Sequence, residues 1–446
     1  MFKDKNKIHV AIVGGGLAGL SAAAALAEKG IPATIFEAGM QLGGRARSVS
    51  VEFNNQIVKV DNGQHILLGA YHETLKLLEK VGVPEELAFL RMPMSMNLIT
   101  QTGLSAFKLE TSNPFPYPFN QLVGFLCCKG LSIKERISVV TFMLRLKQSD
   151  YTIPHDKPLN RHLIKEQQSS NVIKLLWEPL CLAALNTPMH LASSKVFLNV
   201  LKDAFSTHKN SSDFLLPKLD LSQILSIPIA RYLNTKKIKA LLGHRVNEIK
   251  KSEQGFSVLA RNELHEVTHV ILATSPARLK KLVVDFPNLA SFTKQIDKFH
   301  YQPIYTVYLQ YPSNTTLSKP MVGLTGTYSQ WVFDRGILCG QNGLIAVIIS
   351  AEGKHQALTQ EALALKVAQE LHHAFPNLVK PLWHRVIAEK RATFSCDVNL
   401  HRPTNLSPYP NLLIAGDYTY ADYPSTIEGA VRSGISCADY VMADLL

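Results

Sequence analysis

The chain has 446 residues, of which 46% are apolar and 18% charged, a balance that argues against a disordered or low-complexity protein and provides for a large buried core. Its 47 Lys and Arg exceed its 35 Asp and Glu by 12, so we expect an anionic partner: nucleic acid, a membrane surface or a negatively charged ligand. Six cysteines without a C-x-x-C pair indicate neither a disulfide framework nor a metal site. At this length more than one structural unit is expected.

The first predicted elements form one βαβ unit. A short apolar run rich in β-branched residues at 8–13 predicts a buried strand. An alanine-rich segment at 17–29 predicts a helix, and residues 33–36 predict a second strand. The unit has the order that precedes a nucleotide site in many α/β proteins.

The turn between this strand and helix carries Gly14, Gly16 and Gly19 in G-x-G-x-x-G spacing. The first glycine makes a tight turn, the second lets the backbone approach a pyrophosphate, and the third lets the helix lie close to the sheet. Free N–H groups at the start of the helix then face the phosphates. Glu37, at the end of the second strand, can accept hydrogen bonds from ribose hydroxyls, so the pattern predicts a dinucleotide site.

Directly after the second strand, the sequence EAGMQLGGR contains a second glycine turn that ends in Gly44 and Arg45. It resembles the E-A-x-x-x-x-G-G-R extension of the flavin amine oxidase and phytoene desaturase superfamily, in which this loop continues along FAD toward the flavin. The resemblance therefore implies FAD, rather than NAD, as the cofactor.

The segment Asp61-Asn62-Gly63-Gln64-His65 follows a predicted strand at 57–60. It is similar in order to the D-x-G-x-x segment of the superfamily, which passes beside the flavin ring. His65 is therefore a candidate catalytic residue, either as a proton donor or as an oriented dipole, with Asp61 or Gln64 tuning it. A structural turn with a hydrogen-bonded histidine explains the same residues equally well.

An aromatic and proline-rich turn, NPFPYPF at 113–119, precedes a predicted amphipathic helix at 131–147. Four apolar residues of the helix share one face, and basic residues lie elsewhere: Ile133, Ile137, Val140 and Leu144. The commoner explanation of this pattern is a helix whose apolar face points into the core. The alternative is contact with an anionic membrane surface.

A middle segment adds predicted strands at 255–260 and 266–273, followed by a helix start at Pro276. It resembles the returning segment of the superfamily, in which a valine before the strands, here Val246, meets the adenosine. Scattered lysine pairs without a nucleic-acid-binding motif argue against a nucleic-acid partner.

Near the C-terminus, a predicted strand at 411–415 ends in Gly416 and Asp417, and Ser425 or Thr426 can cap the helix that follows. Glu428, close to the start of this helix, suits its dipole. In the superfamily the A-G-D turn contacts the ribityl phosphate of FAD, and the helix start points at the flavin pyrimidine edge. The residues that the resemblance places against FAD are Gly14, Gly16, Ala18, Gly19, Glu37, Ala38, Gly44, Arg45, Gln64, Val246, Gly416, Asp417, Thr426, Ile427 and Ala430.

The expected fold is α/β, with a discontinuous Rossmann-type FAD-binding domain and an inserted substrate domain of mixed sheet and helices. The expected boundaries are 1–80, 236–285 and 391–446 for the FAD-binding domain, and 81–235 and 286–390 for the substrate domain.

Several longer stretches resemble one branch of the superfamily, the bacterial hydroxysqualene dehydroxylases of hopanoid synthesis, also called squalene-associated FAD-dependent desaturases. These stretches are DNGQHILLGAYHETLKLLEKVG, WEPLCLAALNTP, QWVFDRG and LLIAGDYTYADYPSTIEGAVRSG. The implied reaction is reductive: an acid assists loss of an allylic hydroxyl as water, and reduced flavin supplies hydride to give squalene. Trp331, Phe333 and Tyr423 are candidate substrate contacts, because aromatic faces stabilise a carbocation, although such residues are more often simple packing.

Two other functions remain open: an oxidative carotenoid or phytoene-type desaturase or isomerase, and a flavin-free prenyl-lipid carrier. An amine oxidase is disfavoured because residues 303–309 lack the flavin-facing lysine that is common there. Since there is no second G-x-G-x-x-G unit, we expect the reductant to dock transiently or to come from a protein partner. The other expected partners are a C30 isoprenoid lipid and an anionic membrane surface, with the protein cytoplasmic and peripheral on the inner face of the cytoplasmic membrane.

Overall fold

Strands and helices are mixed along the chain, and the computed structural model describes residues 8–53, 56–111, 115–206, 208–420 and 423–444. Residues 113 and 114 of the predicted aromatic turn lie outside these ranges. The strands are β1 Val10–Val13, β2 Ala33–Glu37, β3 Ser48–Phe53, β4 Gln56–Asp61, β5 Leu67–Leu68, β6 Phe89–Met92, β7 Ser95–Ile99, β8 Ser105–Glu110, β9 Phe214–Pro217, β10 Lys239–Leu242, β11 Val246–Ser252, β12 Gly255–Ala260, β13 Glu263–Val267, β14 His269–Leu272, β15 Tyr301–Gln310, β16 Met321–Leu324, β17 Trp331–Asp334, β18 Leu344–Ser350, β19 Trp383–Phe394 and β20 Leu412–Ile414. The α-helices are α1 Leu17–Glu28, α2 His72–Lys80, α3 Glu85–Ala88, α4 Phe119–Cys127, α5 Ile133–Gln148, α6 Leu159–Lys165, α7 Ser170–Val172, α8 Glu178–Leu185, α9 Ser194–Ser206, α10 Ile227–Thr235, α11 Pro276–Leu282, α12 Ala290–Asp297, α13 Arg335–Cys339, α14 Gln360–Ala374 and α15 Ile427–Ala443. Short π-helical turns lie at Ile173–Trp177 and Ser222–Ser226, and 3₁₀ turns at Pro287–Leu289 and Lys354–Ala357.

A parallel sheet of five strands, in the order β10-β2-β1-β14-β20, forms the centre of the cofactor domain. Its strands come from the beginning, the middle and the end of the chain, so the domain is discontinuous. The strands are short, and β1, β14 and β20 are buried along their whole length because both faces of the sheet are covered, one by α1 and α15 and the other by β11 and β12. All five carboxyl ends lie at one edge, which is where open α/β sheets bind ligands.

A mixed sheet of seven strands, in the order β19-β15-β18-β17-β16-β7-β8, carries the other part of the molecule. Val307, Val332 and Val347 belong to the face that packs against α14. Tyr308, Trp331 and other alternate residues point from the opposite face into the largest apolar core. The domain boundary expected at residue 391 falls inside β19, and the whole of this strand belongs to the mixed sheet.

The strand expected over 266–273 is in fact two strands, and this prediction was wrong. β13 pairs with β12 in an antiparallel hairpin, whereas β14 pairs with β1 and β20 in the parallel sheet. The chain changes sheets at Thr268, whose hydroxyl and amide both contact the backbone of His9. A pattern that favours strands does not by itself reveal such a change of partner.

The helix expected over 131–147 is present as α5, but its predicted apolar stripe does not face the core. Ile133 is 74% exposed and Ile137 is 54% exposed. The face that packs inward carries Val139, Phe142 and Leu146 instead. The core-facing explanation of the stripe was therefore wrong, because the helix is apolar on two faces and only one of them is buried. Within the described residues, no helix is both long enough and apolar enough to cross a membrane.

Helices α1 and α15 cross at a close contact beside the parallel sheet. A Cβ on Gly434 would lie 2.1 Å from both the carbonyl oxygen of Ala18 and the hydroxyl of Ser21. The Ser21 hydroxyl itself donates to the carbonyls of Ala18 and Val431, at 3.1 and 3.2 Å. The two cofactor motifs at opposite ends of the sequence are thus held together by a helix pair whose crossing leaves no room for a side chain at position 434.

We therefore expect Gly434→Ala to destabilise the protein, although alanine usually stabilises a helix relative to glycine. The added methyl group must displace backbone, so the free energy of unfolding should fall by about 1–3 kcal/mol. The matched control is Ser436→Ala in the same helix, which should change it by less than about 0.5 kcal/mol. Denaturant titration measures both, and an unchanged or higher stability of the glycine variant would contradict the packing described for this crossing.

Candidate functional site

The first glycine turn lies at the carboxyl edge of the parallel sheet and is shaped for close contacts. A Cβ on Gly14, whose φ is +117°, would lie 2.3 Å from the carbonyl oxygen of Ala273, and one on Gly19 would lie 2.1 Å from that of Gly14. At Gly16, in contrast, the nearest atom would be 4.0 Å away. The turn therefore packs tightly on the sheet side and leaves Gly16 open to a ligand, as the sequence predicted.

Helix α1 presents uncompensated N–H groups at this turn. Its N-cap is Gly16, no side chain caps it, and its first turn contains no acidic residue. The amide groups and the helix dipole are therefore available to an anion such as a pyrophosphate. Ala18, in this first turn, is buried against the rest of the cofactor domain.

Glu37 is fixed at the end of β2, directly beside the glycine turn. Its carboxylate accepts hydrogen bonds from the amides of Gly15, at 2.7 Å, and Gly39, at 2.6 Å. The side chain is half-buried, and Ala38 after it is exposed. A carboxylate held in this way has free lone pairs for the hydroxyls of a ribose.

The second glycine turn and the C-terminal motif meet in space. The guanidinium of Arg45 lies 2.7 Å from a carboxylate oxygen of Asp417 and donates to the carbonyl of Ala392 at 2.5 Å. The Ser425 hydroxyl also hydrogen-bonds to Asp417. The Asp417 carboxylate raises the pKa of Arg45 and keeps it charged. Residues 372 positions apart in sequence thus form one polar cluster next to Gly416.

Helix α15 begins as the sequence predicted, with Thr426 as its N-cap accepting from the amide of Gly429 at 3.0 Å. Ile427 and Ala430 lie in its first turn, and Ile427 is buried. Glu428 is fully buried but is not the cap of its own helix, a role that Thr426 fills.

The Glu428 carboxylate instead accepts from the first amides of α2, those of Glu73 and Thr74, at 3.1 and 2.9 Å. It also accepts from the Thr74 hydroxyl and from Nε of Arg432, at 2.6 and 2.7 Å. The pair with Arg432 has a local signal in the sequence, because the two residues are one turn apart in the same helix. The capping of α2 has no such signal.

Two buried hydroxyls provide an independent test of whether a cofactor fits at this edge. Thr274 follows β14 at the carboxyl edge, and Thr306 lies on β15, 3.8 Å from where a Cβ of Gly63 would stand. Neither hydroxyl has a hydrogen-bond partner within the described residues. Buried hydroxyls are normally satisfied, so a polar ligand along this edge accounts for both. Val246, the expected adenosine contact, is buried at the start of β11, and its carbonyl accepts a hydrogen bond from Arg278.

Asp61 lies in a buried polar network that joins the two domains. Its side chain is completely buried, accepts from the amide of Leu221 at 2.8 Å, and lies 3.3 Å from the guanidinium of Arg335. Burial raises the pKa of Asp61, while Arg335 acts in the opposite direction. Arg335 also donates to Oε1 of Gln64 at 2.6 Å, which fixes the amide of Gln64. The Tyr308 hydroxyl donates to the Asp61 carbonyl at 2.8 Å.

His65 has one ring nitrogen engaged. Nδ1 lies 2.6 Å from the carbonyl oxygen of Gly63 and therefore carries the proton that it donates to it. Burial lowers the pKa of His65, so the ring is neutral near pH 7 and its Nε2 is a hydrogen-bond acceptor. This geometry favours an orienting role over that of a proton donor.

The candidate substrate residues fall into two groups. Trp331 and Phe333 are buried on the same face of the mixed sheet as Tyr308, whose hydroxyl reaches Asp61. Tyr423 is buried next to the start of α15, where the Arg432 guanidinium lies 5.3 Å from its ring centre. The first group is thus on the side of the sheet that faces the cofactor domain.

Comparison with known proteins agrees with this arrangement. The model of the family described as flavin containing amine oxidoreductase matches residues 17–442. The hydroxysqualene dehydroxylase of Zymomonas mobilis is 27% identical over 97% of this chain and 98% of its own length, and the zeta-carotene desaturase of Synechocystis is 22% identical over 98% of both. The solved structure of cyclohexylamine oxidase from Brevibacterium oxydans superposes with a TM-score of 0.72 at 17% identity, covering 98% of this chain and 99% of that one. The predicted fold class and the resemblance to hydroxysqualene dehydroxylases are confirmed.

The contact between Arg45 and Asp417 leads to a test of the cofactor site. We expect Asp417→Asn to weaken flavin binding by about tenfold or more, because a charge-assisted hydrogen bond that orders the second glycine turn is lost. Titration of the apoprotein with flavin, followed by fluorescence, gives the dissociation constant. Asp439→Asn, on the exposed side of α15, is the control and should bind as the wild type does. Equal flavin affinities of the two variants would show that Asp417 does not contribute to the flavin site.

Proposed function

Because the chain belongs to the flavin-containing amine oxidoreductase family, it is a flavin-dependent oxidoreductase, and we propose that it uses FAD to convert hydroxysqualene into squalene for hopanoid synthesis. One observation carries this proposal: relatives named hydroxysqualene dehydroxylase match over nearly the whole length of the chain, at 24–27% identity. The buried aromatic face of the mixed sheet supports an apolar substrate.

In the proposed reaction, the allylic hydroxyl gains a proton, its C–O bond breaks and water leaves, and the resulting allylic cation gains hydride at carbon. Reduced FAD supplies the hydride when it is bound. The residues that would hold FAD are those of the two glycine turns, Glu37, and the start of α15. The rings of Trp331 and Phe333 would exclude bulk water and stabilise the positive charge through their faces.

His65 would orient the reacting group rather than protonate it, because Nε2 of its neutral ring carries no proton. Asp61 is bound to Arg335 and to the amide of Leu221. It would contribute to the reaction indirectly, by holding Gln64 and His65 in position. We therefore propose Asp61 as a positioning residue, and in this scheme neither it nor His65 supplies the proton.

An oxidative desaturase is the second candidate function, since the zeta-carotene desaturase of Synechocystis also matches over the full chain. It would use oxidised FAD on a longer polyene. The third possibility, a flavin-free prenyl-lipid carrier, is disfavoured because the two flavin motifs that contain Arg45 and Asp417 are both intact. We further propose that an external electron donor reduces the flavin and that the protein works at an anionic membrane surface.

Product analysis distinguishes these functions. We expect the chemically reduced protein, incubated without oxygen with hydroxysqualene, to yield squalene and reoxidised flavin in equal amounts. Mass spectrometry measures the product, and the absorbance near 450 nm is the usual measure of the flavin. Desaturation of a C40 polyene by the oxidised protein, with no squalene from the reduced one, would establish the second candidate instead. A purified protein that takes up no flavin would favour the carrier.

The role of His65 can be tested by pairing His65→Ala with His65→Asn, which keeps a donor toward the Gly63 carbonyl. General acid catalysis is worth about 100-fold or more, whereas an orienting role predicts a loss closer to tenfold in the alanine variant and partial rescue by asparagine. Because the pKa of His65 is lowered from its ordinary value of 6.5, the wild-type turnover should show no titration of this ring at pH 6.5 or above. Turnover that rises as the pH falls through 6.5, and that loses this rise in the asparagine variant, would show that His65 is the acid. Flavin content serves as the control for folding.

A further inference from the structure

The solvent-facing side of α5 carries a row of large apolar side chains. Ile133, Ile137 and Leu144 are 74%, 54% and 51% exposed, and half-buried Val140 lies between them. Their spacing of four, three and four residues places them on one face of the helix. Single exposed apolar residues are common on soluble proteins, but a continuous row of them marks an interaction site.

Helix α4 extends this apolar surface. Phe119 is 58% exposed and Leu126 is 40% exposed. The two helices are tied together by Arg136, which donates to the carbonyls of Leu126 and Leu131 at 3.3 and 2.9 Å. We call the exposed residues Phe119, Leu126, Ile133, Ile137 and Leu144 the docking face.

The charges around the docking face are strongly one-sided. Residues 115–148 contain five basic residues and one acidic residue, Glu135, a net charge of +4: the basic residues are Lys129, Lys134, Arg136, Arg145 and Lys147. Glu135 is engaged with Ser132 in a capping box and accepts from the Ser169 hydroxyl at 2.6 Å. Arg145 pairs with Glu166 at 3.3 Å, whereas the other basic side chains border the apolar surface with little compensation from within the segment.

We propose that the docking face binds the surface of an anionic lipid bilayer, with α5 lying in the plane of the interface. Apolar side chains enter the boundary of the acyl chains while Lys and Arg contact the headgroup phosphates. A second copy of this chain is a poorer occupant, because a two-fold interface would bring two such basic segments together. The inference deepens the proposed function by naming the membrane contact, but its observations do not depend on the identity of the substrate.

The decisive variant is Ile133→Ser/Ile137→Ser/Leu144→Ser, measured by sedimentation with phosphatidylcholine vesicles with and without phosphatidylglycerol. We expect the wild-type protein to bind the anionic vesicles and the triple variant to bind them at least about tenfold more weakly, because each side chain loses most of its apolar area. The matched control is Val284→Ser/Val379→Ser/Leu382→Ser, three equally exposed apolar residues outside the docking face, which should bind as the wild type does. Melting temperature and flavin content verify that both variants are folded.

A second variant, Lys134→Gln/Arg145→Gln/Lys147→Gln, tests the charges. It should lower binding to anionic vesicles and reduce the dependence of binding on salt, as expected when fewer phosphates are contacted. Equal binding of the triple serine variant and the wild type would overturn the proposal. So would a wild-type protein that is dimeric without vesicles and a serine variant that is monomeric, since a second copy would then cover this face.

Vesicle binding and turnover are separate measurements. A protein that binds anionic vesicles through the docking face but forms no squalene from detergent-dispersed hydroxysqualene would support the docking face and contradict the proposed function. If the protein forms squalene in detergent but its triple serine variant still binds vesicles fully, the proposed function is supported and the docking face is contradicted.

Discussion

The buried ion pair between Asp61 and Arg335 fixes the position of the candidate site, because it joins the segment beside the predicted flavin position to the mixed sheet. Both side chains are almost fully buried, at 0% and 1% exposed. Charges withdrawn from water this far are tolerated only when they are paired and hydrogen-bonded, and removing one partner of such a pair typically costs about 3–5 kcal/mol. The network is well satisfied: the Asp61 carboxylate also receives the Leu221 amide, and Nε of Arg335 donates to Gln341 at 2.6 Å. The relative position of cofactor domain and sheet is therefore set by polar geometry as well as by apolar packing.

The cofactor edge was predictable because its requirements are local in sequence. Gly14, Gly16 and Gly19 lie within one turn and the start of one helix, and each is needed for a steric reason that holds for any such turn. The position of Glu37 beside the glycine turn follows from the length of a single βαβ unit. The contact between Arg45 and Asp417 is not local, and the resemblance placed each residue against FAD without predicting that they contact each other. Spacing alone does not predict it.

The features that sequence patterns missed are those in which tertiary contacts choose between locally equivalent states. The run at 266–273 is rich in β-branched and apolar residues, and the change of sheet at Thr268 depends on its contact with His9, far away in the chain. Helix α5 offers apolar residues on two faces, and the choice of the buried face depends on which neighbour is available. Phe142 on the inner face packs edge-on to Trp177, with ring centres 5.5 Å apart. Periodicity identifies the two faces of the helix but does not say which one is covered.

This two-faced helix connects the outside of the protein to its interior in a way that suits the proposed substrate. Its inner residues Val139, Phe142 and Leu146 belong to the same buried cluster as Trp331 and Phe333 on the mixed sheet. Its outer residues form the docking face, bordered by cations. A polyisoprenoid is insoluble because each CH₂ exposed to water costs about 0.8 kcal/mol. An enzyme that acts on such a lipid avoids this cost when the lipid stays in contact with apolar surface all the way from the bilayer to the site. If α5 lies on the bilayer as proposed, a single helix separates lipid from the apolar core that reaches the aromatic face. The exposed stripe, costly for a protein in water alone, then becomes an expected feature of the fold, and four of the twelve surplus positive charges lie in the segment 115–148.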